Sequence, residues 1–177
     1  MSRSFRTFAL AAVAAVAIAA PAAAQTASIQ SDFAKDWAAQ KDMLVKIAQA
    51  MPEDKFTFKA TPAQRDFAGH VMHIAQVNMM LLATIGGKTP APQINMKATS
   101  KADTIKAMSD TFDYGTALIK EQTDQTMVAG VQGPPWMGVS TRARMIAFLI
   151  GHTQDTYGQM VVYLRLNGVV PPASQRP

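Results

Sequence analysis

The 177-residue chain contains no cysteine. That excludes disulfides, thiolate nucleophiles, cysteine-ligated metals and an acylated lipoprotein anchor. Stability must then come from packing. No run of Lys and Arg interleaves with aromatics, so nucleic-acid binding has no support. No Ser-His-Asp arrangement, glycine-rich phosphate loop or close carboxylate pair is present. There is no internal repeat, and no stretch alternates apolar and polar residues as a half-buried strand would.

The longest uncharged apolar run, residues 8–20, is shorter than the roughly 20 residues a membrane span needs. Its setting gives it another meaning. Arg3 and Arg6 precede it, Pro21 follows, and Ala22-Ala23-Ala24 supplies the small-x-small pattern of a cleavage site. Residues 1–24 therefore read as a signal peptide, with Gln25 as the mature N-terminus. The mature chain would be periplasmic or secreted, with no stable membrane anchor. Removing 24 of the 177 residues leaves 153, enough for one domain with a real core. The 17 basic residues fall to 15 against 12 acidic ones, a mild net charge of +3.

Four segments carry helical periodicity, with turn signals between them. The first, about 29–50, has a stripe of Phe33, Trp37, Leu44, Ile47 and Ala48, with Pro52 just beyond. The second starts at Thr61-Pro62-Ala63-Gln64, which reads as a capping box with proline at the first helical position. Phe67, Val71, Ile74, Val77, Asn78 and Leu81 follow at spacings of three and four, and Gly86-Gly87 ends it. The third begins near Ser100 and fades near Asp124, with Ile105, Met108, Phe112, Gly115, Leu118 and Ile119 on its apolar side. Residues 130–138 hold Gly133-Pro134-Pro135-Trp136 and cannot be helical; they suit a turn or a lid. The fourth spans about 140–167, with Gly168 as its cap and Pro171-Pro172 beyond. The pattern predicts an all-α four-helix bundle over residues 25–170 and a loose tail at 171–177. Connections of roughly ten residues allow direct or crossed topologies.

Chemistry is concentrated in three histidines, His70, His73 and His152. His70 and His73 lie one turn apart on the second helix. His152 shares a stripe of the fourth helix with Met145, Phe148, Leu149, Thr156, Gln159 and Tyr163. Imidazoles projecting inward from facing helices are how bundles build metal sites, and the same residues can equally serve as hydrogen-bonded core histidines. The methionines fall at core spacings without a Met-x-x-Met cluster, which favours packing over Cu(I) binding. Tyr163 suits boundary packing with its hydroxyl bonded.

The runs Met51-Pro52-Glu53-Asp54-Lys55-Phe56, Arg65 through Asn78 and His152 through Pro172 resemble the DinB-like family. The most specific part is Tyr157-Gly158-Gln159 through Pro171-Pro172, and the resemblance covers nearly all of the mature chain. It implies a DinB/YfiT-type four-helix bundle with an unusual helix connection, and a homodimer. It also implies a divalent metal, nickel or zinc, on three histidines. His73 matches the ligand of the second helix, and His152 the first of a His-x-x-x-His pair on the fourth. The second member of that pair is Thr156 here. His70 or Asp155 could complete the set, or water held on Thr156 could fill the gap. Two readings follow: a non-catalytic exported bundle that binds a small ligand or partner in the inherited cleft, or a metal-dependent hydrolase or thiol-type transferase using His73 and His152 with His70 or Asp155.

Overall fold

The structure, a computed structural model, describes residues 27–175. The proposed signal peptide lies outside the described residues. Helix α1 covers Ile29–Ala50, with Ser28 as N-cap accepting from the Ser31 amide, and Pro52 follows its last turn. Its buried residues are Trp37, Leu44, Ile47 and Ala48 of the expected stripe, together with Gln40, while Phe33 is only partly buried.

Helix α2 covers Phe67–Ile85, so it starts later than Thr61-Pro62 predicts. The reason is local hydrogen bonding. The Phe67 and Ala68 amides donate to the Phe58 and Phe56 carbonyls, at 3.1 and 2.9 Å. The Gly69 amide donates to the Asp66 carboxylate at 2.7 Å, and the His70 amide to the Asp66 carbonyl at 3.1 Å. The last of these is the first regular helix bond, and the other three satisfy first-turn donors that have no partner within the helix, so Asp66 wins as the cap. Gly86, at φ 74°, ends the helix in a conformation that favours glycine.

Helix α3 covers Lys101–Lys120, capped by Ser100 as predicted. A short helix α4, Asp124–Val128, follows behind its own Thr123 cap. Strands β1 (Gly130–Gln132) and β2 (Val139–Thr141) then form an antiparallel hairpin around the Gly133-Pro134-Pro135-Trp136 turn, with Val131 opposite Ser140. No strand was expected. Three residues are too few to display an alternation, and the pairing depends on the turn that joins them. Helix α5, Arg142–Leu166, is capped by Thr141. Beyond it Gly168 turns at φ 70°, Pro171 is buried, and Pro172–Ser174 form a 3-10 turn.

The long helices form an all-α bundle. Helix α1 packs on α3 and α5, and α2 packs on the same two, so the order around the bundle is α1-α3-α2-α5. The step from α1 to α2 therefore crosses a diagonal, and so does that from α3 to α5. The main core cluster surrounds Trp37, Phe67, Phe112, Leu149 and Tyr163, and a small second cluster joins Met72, Ala98 and Ala107.

Candidate functional site

Helices α2 and α5 run antiparallel. Thr84 donates to the Met145 sulfur at 3.0 Å, His73 meets His152, and the Tyr163 hydroxyl donates to the Arg65 carbonyl at 2.7 Å. Residue numbers climb on one helix as they fall on the other. This register brings the family's two matching histidines together. The Nε2 atoms of His73 and His152 lie 3.1 Å apart, with ring centroids at 4.9 Å and planes at 67°.

Both rings are held neutral. Burial pushes His73 down to about 4, helped by the charge of Arg65 and by His152 and His70. His152 is lowered chiefly by burial, with Arg65 adding and Asp155 opposing. Two neutral imidazoles in contact need one Nε2–H between them. Burial decides which ring carries it: the His152 Nδ1 is buried and has no hydrogen-bond partner. A proton there would be an orphaned donor, costing about 1–3 kcal/mol. The arrangement of least cost puts the His152 proton on Nε2, donating to His73, whose own proton then sits on Nδ1.

That assignment bears on metal binding. Two nitrogens about 2.05 Å from a tetrahedral ion lie about 3.3 Å apart, so the pair can supply two vertices. Coordination through both Nε2 atoms would drive the His152 proton to Nδ1. Metal-bound histidines normally donate that second N–H to a carboxylate or carbonyl, and His152 has no such partner.

Among the described residues, no third ligand completes the set. His70 is buried, its ring edge-on to Tyr163 at 4.8 Å, with its Nε2 also unpartnered. Burial lowers its pKa too. Asp155 is exposed, and its carboxylate accepts from Gln159 at 2.8 Å. Thr156 is buried and donates back to the His152 carbonyl at 3.0 Å. Among the described residues, no three His, Asp or Glu side chains are grouped to hold a metal. The donors present fit a two-ligand contact and not a closed three-ligand site.

The polar partnerships of Gln40 and of Asn78, the latter read as part of the second helix's stripe, escaped the sequence reading. Gln40 of α1 accepts from Thr153 of α5 at 3.3 Å, and Asn78 of α2 donates to Thr111 of α3 at 3.1 Å. Each sits on an apolar stripe where a polar residue looks like a boundary position. Arg65 also escaped, because it appeared to lie inside the second helix. It stands one residue before the Asp66 cap, and its stem crosses Gly69, where an added Cβ would meet the Arg65 Cβ at 3.2 Å. Tyr163 is buried with its hydroxyl bonded, as expected. Trp136 is exposed and packs its ring on Phe148. A separate cavity of about 370 Å³, lined by Ala39, Met43, Tyr157 and Pro172 among others, opens on the α1 side of α5 and does not include the histidine pair.

Helices α2 and α5, antiparallel within a bundle of crossed connections, thus bring His73 and His152 into contact. The chain belongs to the DinB family, whose sequence model matches residues 24–177. Two solved structures are similar. A DinB-like protein from Bacillus cereus shares 18% identity, with 80% of this chain and 95% of that one covered at a TM-score of 0.66. A DinB-like protein from Bacillus subtilis shares 13% identity, with 82% and 99% covered at a TM-score of 0.63. At these identities the likeness speaks to the fold. No curated protein matches the chain.

Proposed function

We propose that this protein is an exported, non-catalytic ligand-binding member of the DinB family, with a degenerate two-histidine site in place of the three-histidine metal centre. The observation that carries this reading is the His73–His152 contact at 3.1 Å, with Thr156, bonded back to the His152 carbonyl, at the position where the family resemblance implies a third histidine. Three protein ligands and an open position make a catalytic zinc site. Here two ligands are available, and one of them would need a buried, unpartnered Nδ1–H. Export supports the same reading, because it removes the chain from the cytosolic thiols on which a thiol transferase would act. Zinc or nickel would meet His73 and His152 weakly, with water on the remaining positions. The homodimer implied by the family resemblance belongs to the same reading.

The test restores what is missing. Thr156→His places an imidazole one turn from His152. Changes around a metal site that leave its ligands intact already shift affinity 10–100-fold, so a new ligand should tighten zinc binding by more than about 100-fold. Elemental analysis of the wild-type protein purified from its own compartment should give clearly substoichiometric metal, and His73→Ala should remove what remains. Stoichiometric, tightly held metal in the wild type would overturn the reading in favour of a metal-dependent hydrolase or transferase.

A further inference from the structure

Along α1, Ala39, Asp42, Met43 and Lys46 recur at spacings of three and four and so share one face. That face lines the cavity of about 370 Å³, together with Tyr157 of α5 and the 3-10 turn at Pro172 and Ala173. The volume lies near the lower end for small-ligand sites, which run from about 300 to 1,000 Å³. Its walls are fixed. Gln40, next to Ala39, and Thr153, one turn before Tyr157, are both buried and bond at 3.3 Å, holding α1 on α5. The 3-10 turn packs on α1 behind the buried Pro171. Within it the Ser174 and Gln175 amides donate to the Pro171 and Pro172 carbonyls, at 2.8 and 3.2 Å.

Ala39, Met43, Pro172 and the Tyr157 ring make an apolar lining, and two opposite charges stand on it. Asp42 lies four residues before Lys46, the order and spacing at which helical ion pairs form best. On α3, Lys106 and Asp110 pair at that spacing at 2.6 Å, even in the reverse order. Asp42 and Lys46 do not pair. Among the described residues, neither is in any of the four salt bridges. An apolar cavity bearing an unpaired carboxylate and an unpaired ammonium is complementary to a molecule with both charges on one apolar body. An anion alone would leave Asp42 against it, and a cation alone would leave Lys46.

We propose that this cavity binds a free α-amino acid with an apolar side chain. Asp42 meets its ammonium, Lys46 and the Tyr157 hydroxyl meet its carboxylate, and its side chain lies on Met43 and Pro172. Residues four apart on a helix have Cβ atoms about 5–6 Å apart, so both charged side chains can converge on the adjacent ammonium and carboxylate of one ligand. The site is distinct from the histidine pair and does not depend on how that pair is read.

The test uses the mature protein and four probes: L-phenylalanine, 3-phenylpropionate, phenethylamine and glycine. Binding is read from the NMR signals of the Tyr157 ring and the Ala39 and Ala173 methyls. Phenylalanine should saturate. The two singly charged probes and glycine, which lacks an apolar body, should each bind more weakly. Asp42→Asn should weaken phenylalanine about three- to tenfold, between the worth of an exposed ion pair and that of a charged hydrogen bond. It should leave 3-phenylpropionate, which has no ammonium, unweakened. Lys46→Gln should weaken phenylalanine by a similar factor and leave phenethylamine unweakened. Both positions are exposed, and matching circular dichroism checks that the variants fold. A merely structural role would weaken every probe alike, and that result would overturn the proposal. So would equal binding of either singly charged probe, no saturation by phenylalanine up to about 10 mM, or shifts at His73 and His152 in place of Tyr157.

Discussion

The α1–α3 seam and the α2–α5 seam use similar helices and differ in how they treat their polar atoms. In the first, Trp37 is fully buried, its Nε1 donates to the Phe112 carbonyl at 2.8 Å, and its ring packs on Phe112 at 4.7 Å. Gly115 lies beneath that ring, where an added Cβ would come within 2.5 Å. In the second, the His152 Nδ1 and the His70 Nε2 are buried without partners. One seam satisfies its donors and closes. The other holds imidazoles neutral at a cost in stability, which is how binding sites differ from core.

The comparison breaks most readily at Trp37. Trp37→Ala should cost about 3–5 kcal/mol, read from urea unfolding, because it empties the space that Gly115 leaves open and removes a buried hydrogen bond. A smaller loss would mean that the α1–α3 seam is not the stabilising one. A second, smaller effect is expected with pH. All three histidines have folded pKa values below the unfolded 6.5, that of His73 at about 4. As pH falls, the unfolded chain takes up their protons first, so stability is complete above pH 6.5 and is lost progressively toward pH 4. The urea midpoint should decline across that window in the wild type and decline less in His73→Gln/His152→Gln. An equal slope in both would place the acid sensitivity outside the α2–α5 seam. The smallest effect is expected for Tyr163→Phe, about 1 kcal/mol for the lost bond to the Arg65 carbonyl, read from the same urea unfolding.

Much of the fold was legible in local chemistry. Ser100 caps α3, Gly86 stops α2 and Pro52 follows α1 because those signals act within a turn of the chain. The start of α2 was misread for the converse reason. Thr61-Pro62 is a sound local signal, but residues 56–58, folded back from before it, offer acceptors to the Phe67 and Ala68 amides. The hairpin and the diagonal order of helices depend on contacts distant in sequence, and periodicity does not carry those. At the site, His70-x-x-His73 put two histidines on neighbouring positions of one helix, yet one turn's offset sends His70 toward Tyr163 and leaves His73 to meet His152. The pairing of His73 with His152 came from the family resemblance.

The diagonal order also governs how the chain can assemble. Of the successive long helices, only α2 and α3 are direct neighbours; α1 must wait for α3 or α5, and α5 must pass α3 to reach α2. A bundle of adjacent hairpins can form its contacts in sequence as each helix appears, whereas here most interhelical contacts close long loops. In a chain made N-terminus first, α1 emerges with its apolar stripe still uncovered. Trp37, the residue that later closes the tightest seam, is then among the first apolar groups exposed and waits 75 residues for its partner Phe112.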